Sequence, residues 1–182
     1  MAEPEEAPRE PWTALLLGEV RTGLVIVLGS ALLGVVVGLL WCWIAPRVPL
    51  YADATSVYLK DPEGEQQAAA DGWFAVLGAI AGVLVAALAY WRTRHREGGL
   101  GVPVGLTLGG LLGGWIAWQV GSALGPGKSL AADAKKVPLG HVFDAPIDLH
   151  ARAALVAWPV FALVVLIAAM STFAPRHDGR PD

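Results

Sequence analysis

Residues 101–125 read GVPVGLTLGGLLGGWIAWQVGSALG, with a small residue at every fourth position: Gly101, Gly105, Gly109, Gly113, Ala117, Gly121 and Gly125. The residues between are mostly Leu, Val, Ile and Trp, and none is charged. As a helix, such a segment rises roughly 36 Å, enough to cross a bilayer with some tilt. Small residues four apart share one ridge of a helix and leave a groove for a second backbone. The stretch therefore predicts a membrane-spanning helix whose glycine ridge is a packing surface.

The rest of the chain fits the same class. Of 182 residues, 55% are hydrophobic and only 16% charged, against the quarter usual in soluble domains. The 22 glycines agree, because Gly is commoner in membrane helices than in soluble ones. A net charge of −3 without a long basic run argues against a nucleic-acid partner. Cys42 is the only cysteine, which excludes an intramolecular disulfide and a thiolate metal cluster. Flanked by Trp41 and Trp43, it reads as a small hydrophobe.

Three further spans flank the glycine ladder. Residues 1–12 are rich in Glu and Pro and predict a disordered tail. The acidic start and the length of the following apolar run favour a retained signal-anchor over a cleaved signal peptide. Span one covers about 23–45, holds the pair Gly34/Gly38 and stops at Pro46 and Pro49. Span two covers about 73–91, holds Gly78/Gly82 and starts from a helix expected to begin at Asp61-Pro62-Glu63. The ladder occupies about 100–124 as span three. Span four covers about 152–174, with Pro159 expected to kink it or mark its second turn. The expected fold is all-α: a polytopic four-transmembrane-helix bundle over 13–175, with a short tail at 176–182. The short connector after Arg92 should make spans two and three antiparallel neighbours, and the three glycine pairs together set span three against spans one and two.

The polar loops, 46–72 and 126–150, lie on one side. Thr55–Leu59 has strand-like composition, and Gly140–Leu149 alternates loosely. Paired, they would form a small cap over the bundle. On the other side Arg92, Arg94 and Arg96 crowd the short connector between spans two and three. Basic residues in short loops mark the cytoplasmic face, so both termini are expected in the cytoplasm and the chain in the plasma membrane. Trp41, Trp43, Trp73, Trp118 and Trp158 would then form a belt at the opposite interface.

Candidate chemistry is sparse. The span interiors hold no Asp, Glu, Lys, Arg or His, the usual marks of ion paths and proton relays. Gln119, Thr107, Ser122 and Ser30 are their polar residues, expected to hydrogen-bond between helices or to backbone. In the loops, His141, Asp144, Asp148 and His150 cluster, with Asp53, Asp61 and Asp71 in the other loop, but the spacing matches no metal motif. Asp148 suits the N-cap of span four. The glycines are not followed by Gly-Lys-Ser/Thr, which excludes a phosphate-binding loop. No catalytic, cofactor-binding or metal-ligating residue is assigned. The helix-packing residues are Gly34, Gly38, Gly78, Gly82, Gly105, Gly109 and Gly113, and Arg92, Arg94 and Arg96 are placed to meet lipid head groups.

Leu40-Trp41 with Ala45-Pro46, Ala70-Asp71-Gly72-Trp73-Phe74-Ala75, the Arg-rich connector, Gly109-Gly110 with Gly113-Gly114, and Trp158-Pro159 together resemble a family. It is an uncharacterised family of small actinobacterial membrane proteins, and the resemblance covers about residues 15–175. It implies a four-span fold and a membrane location, and it carries no site residues. The expected function is that of a non-enzymatic structural or accessory component of the envelope, assembling with itself or with a membrane-protein partner. The alternative is a small transporter or channel with an uncharged passage at an oligomer interface, lined by Gln119.

Overall fold

The computed structural model describes residues 12–52, 57–59, 65–95, 99–125 and 142–173. Four long helices dominate: α1 (Trp12–Ile44), α2 (Gln66–Thr93), α3 (Gly101–Leu124) and α4 (Ala157–Phe173), the last entered through a 3-10 turn at Arg152–Val156. With that turn counted into the fourth, each is long and apolar enough to cross a membrane. Outward residues such as Leu24, Leu28, Leu32, Leu84, Leu108, Val164 and Ile167 are exposed, and a surface of this composition belongs against hydrocarbon. This is the all-α, four-helix architecture of a multi-pass membrane protein.

The helix starts and stops follow local chemistry. α1 begins at Trp12, about three turns before the apolar run that predicts span one, because Leu15, Leu16 and Leu17 extend the pattern past Glu19 and Arg21. Pro103 and Pro159 each stand third in their α-helices, where the missing N–H has no intrahelical partner in any case. Pro159 thus stands in the first turn of α4, directly after the 3-10 turn, rather than in the second turn of the span or at a kink within it. Of the tail expected at 1–12, Trp12 is instead the first residue of α1; residues 1–11, the tail at 176–182 and the helix start at Asp61-Pro62-Glu63 lie outside the described residues.

α3 is the innermost helix, and its neighbours differ from the expected ones. One ridge faces α1: a Cβ on Gly109 would lie 2.8 Å from Ser30 Oγ, one on Gly113 2.8 Å from the Ser30 carbonyl oxygen, and one on Gly105 2.9 Å from Gly23 Cα. From α1, Gly34 sits against Gly113 and Gly38 against Ala117. Positions rise together along both helices, so α1 and α3 run parallel. The adjoining ridge faces α4: a Cβ on Gly110 would lie 2.9 Å from Pro159 N, and one on Gly114 3.3 Å from the Leu155 carbonyl oxygen in the turn before it. The Gly78/Gly82 pair serves α4 and not α3, with Gly82 against Trp158 and Ala162. α2 and α4 are the second parallel pair, closed at the far end by the rings of Tyr90 and Phe173, 6.1 Å apart.

Around the fold the order is α1, α3, α4, α2, so consecutive α2 and α3 are antiparallel but sit across a diagonal and touch little. The connector permits this. Residues 94–100, between the ends of α2 and α3, reach up to about 23 Å when extended, whereas the diagonal of four helices packed 8–10 Å apart is only about 13 Å.

A three-stranded antiparallel sheet covers the opposite end. β1 (Pro49–Ala52) lies between β2 (Val57–Leu59) and β3 (Val142–Asp144), with Tyr51 opposite both Tyr58 and Val142. Both loops therefore join one cap. Their expected strands do not pair with each other, because β1, directly after span one, lies between them. The Ala145 N–H donates to the Val48 carbonyl (2.8 Å), and Arg47 approaches Asp144 at 3.6 Å; both side chains are half exposed, so the ion pair contributes little.

The seam predicts opposite effects for two neighbouring glycines. A methyl placed on Gly29 would meet nothing within 4 Å, whereas at Gly34 the Gly113 backbone stands in the way. Gly29→Ala should hold or raise thermal stability in detergent, by up to about 1 kcal/mol through helix propensity. Gly34→Ala should lower it by about 1–3 kcal/mol. Equal melting temperatures for the two variants would refute the backbone contact.

Candidate functional site

The polar chemistry of the described residues gathers where helix ends meet the sheet. Trp41 is fully buried there, one turn beyond Gly38 on the glycine face of α1. Its Nε1–H donates to the Ala70 carbonyl (2.8 Å), and Phe74 meets its ring edge-on at 5.1 Å. Gly121 leaves the space that the ring fills. Trp158 is buried likewise, between Gly78 and Gly82 of α2 and Gly113 of α3. Of the five tryptophans expected in an interfacial belt, Trp41 and Trp158 are therefore core residues, while Trp43 and Trp73 are exposed. A tryptophan on the ridge that carries the glycines must enter the seam; one two positions further round the helix faces out.

Asp71 is the buried carboxylate of this region. It projects from the first turns of α2 and accepts from the backbone N–H groups of His150 (3.2 Å) and Ala151 (2.7 Å), the residues leading into the fourth span. The role expected of Asp148 thus falls to a residue from another helix. Asp148 Oδ1 instead accepts from Trp118 Nε1 (3.0 Å) and from the adjacent Leu149 N–H (2.8 Å), and Arg152 lies over the Trp118 ring at 5.8 Å. Spacing alone misses Asp71 because its partners lie far along the chain. Beside this knot is a cavity of about 370 Å³, lined by Arg47, Gln67, Ala70, Pro146, Asp148 and His150 among others.

The other loop residues do not converge. Asp144 is engaged at the sheet edge with Arg47, and His141, Asp53 and Asp61 lie outside the described residues. Among the described residues no group of three or more His, Cys, Asp or Glu is arranged to hold a metal ion. Comparison with family models, curated proteins and solved structures finds no match. The resemblance to the actinobacterial membrane proteins therefore rests on the motifs alone.

Within the helices the polar residues split. Thr107 Oγ1 donates to the Pro103 carbonyl of its own helix (2.9 Å). Ser30 Oγ, sealed in the α1–α3 seam, and Ser122 Oγ find no partner, contrary to the expected hydrogen bonds. Gly109 closes over Ser30, so that a Cβ there would lie 2.8 Å from the hydroxyl oxygen, which has no partner among the described residues. Gln119 faces outward.

At the opposite end, Glu19 of α1 accepts from the Gly101 N–H at 2.6 Å, meeting the first exposed donor of α3 with a negative charge. Arg92 is exposed in the last turn of α2, Arg94 Nε donates to His95 Nε2 (3.1 Å), and Arg96 lies outside the described residues.

Asp71→Ala leaves two N–H groups without their acceptor and should destabilise the protein by about 1–3 kcal/mol. Trp41→Phe, which puts a smaller ring in a fully buried site and loses the donor to Ala70, should cost about 2–3 kcal/mol, from the lost hydrogen bond together with the cavity left behind. Thermal unfolding in detergent measures both. If Asp71→Ala melts like the parent protein, the carboxylate does not hold the fourth span in place.

Proposed function

We propose that this chain is a non-catalytic, multi-pass component of the plasma membrane with a structural or accessory role in the envelope, its termini and Arg-rich connector in the cytoplasm. The supporting observation is the filling of the space between the helices. Trp41, Trp158, Phe74 and Leu106 are buried there with 2% or less of their surface exposed, and between the level of Arg21 and Arg92 and that of Asp71 the described helices carry no Asp, Glu, Lys, Arg or His. Such a core favours a rigid element over a conduit or a proton relay.

The basis for self-assembly changes. The glycine ridges that suggested a surplus of packing surface are occupied inside the monomer by α1, α3 and α4. A homo-oligomer or a membrane-protein partner would instead use the outer faces, where Trp115 and Leu111 of α3 stand exposed. The outward Gln119 keeps the alternative of a small transporter or channel with its passage at such an interface. The orientation is supported by the density of arginines in the short connector.

Two measurements test this. In cells, with Cys42→Ser as background, a cysteine at position 150 should react with a membrane-impermeant maleimide and one at position 95 should not; the reverse pattern overturns the orientation. Proteoliposomes should show no ion or small-solute flux above empty vesicles. Flux that Gln119→Leu alters would overturn the structural reading in favour of transport.

A further inference from the structure

A second groove lies at the connector end. It has a volume of about 830 Å³ and lies between the first turns of α1 and the last turn of α2. That is within the range of about 300–1,000 Å³ typical of ligand sites. Its floor toward the fold is apolar, with the buried Ile26 and Ala89, its rim holds the exposed Leu15 and Val25, and it carries Arg21 on one side and Arg92 on the other. The Glu19 carboxylate also borders it, and this group already accepts from the α3 N-terminus at Gly101. The formal charge around the groove is therefore one positive unit, matched by a single phosphodiester.

The two arginines also share a level. Twenty residues of α1 separate Arg21 from Trp41, and twenty-one of α2 separate Asp71 from Arg92. Each distance is about 30 Å, the thickness of a hydrocarbon core. With the Trp41–Asp71 knot at one interface, both guanidinium groups fall at the head-group layer of the other, while Val25 and Ile26 lie one turn deeper, where an acyl chain runs.

We propose that Arg21 and Arg92 clamp the phosphate of an anionic phospholipid whose acyl chain lies in the groove between α1 and α2. Guanidinium groups suit phosphate through paired N–H donors, and an anionic leaflet lipid meets them from the bilayer side. This deepens the reading of a membrane component and rests on the helices spanning a bilayer. It keeps Arg92 from the expected Arg92/Arg94/Arg96 contact and adds Arg21; among the described residues Arg94 does not line the groove.

The test uses the full-length protein, delipidated in mild detergent and titrated with phosphatidylglycerol or phosphatidylcholine, with bound lipid counted by native mass spectrometry. The parent protein should retain phosphatidylglycerol at least tenfold better than phosphatidylcholine. Arg21→Gln/Arg92→Gln should remove that preference, Arg92→Lys should keep part of it, and Arg94→Gln should leave it unchanged. Excess inorganic phosphate should not displace the lipid; displacement would show an anion site without a role for the acyl chain and overturn the proposal. Equal retention of the two lipids by the parent protein, or an undiminished preference in the double variant, would also overturn it. Alkaline carbonate extraction of the same variants reports membrane insertion separately, so loss of insertion is distinguished from loss of lipid selectivity.

Discussion

Everything in this fold depends on two backbones coming close together without water to drive them. In hydrocarbon, apolar side chains gain nothing by leaving lipid for one another, so helices associate through van der Waals contact over surfaces that fit. The α1–α3 seam supplies such a surface, with Gly34, Gly38, Gly105, Gly109 and Gly113 at the points where the two helices come closest. The seam has a cost. Ser30 is confined beneath Gly109 with no acceptor for its hydroxyl, and the close fit around it must offset that loss.

Polar groups then fix what packing leaves free. Sliding one helix past another in lipid is opposed only weakly by apolar contacts. The ends of this fold are tied by directional bonds instead: Trp41 to Ala70, Asp71 to the entrance of the fourth span, and Glu19 to the start of α3. Each joins a different pair of elements, and together they set the heights of the helices relative to one another. The sheet adds a fourth tie by joining the two long loops through β1.

Much of this is legible in the residues. Runs of uncharged apolar residues ending in Pro, Trp or Arg mark the third and fourth helices to within a turn and miss the first two or three turns of α2 and α1, and the small residues at every fourth place identify the packing faces. Neighbours are another matter. A glycine ridge says that something approaches closely, not which helix it is, so the Gly78/Gly82 pair, expected against α3, faces α4 instead. The doubled glycines Gly109-Gly110 and Gly113-Gly114 carry the missing signal: adjacent residues point about 100° apart, so α3 has two smooth faces and sits between two partners. Asp71 has no local signature at all, since its partners are reached only through the folded chain. β1 leaves no signal either, because four residues containing a proline show no usable alternation.

The parallel pairing of α1 with α3, and of α2 with α4, bears on biogenesis. A nascent chain that has inserted only its first hairpin possesses neither of the surfaces that match its glycine faces. Those two helices join through Trp41, Ala70 and Phe74, not through a glycine face. The matching surfaces arrive with the second hairpin, and each of its helices must slot beside one already in the bilayer. The two glycine-lined pairings, α1 with α3 and α2 with α4, therefore each need one helix from each hairpin.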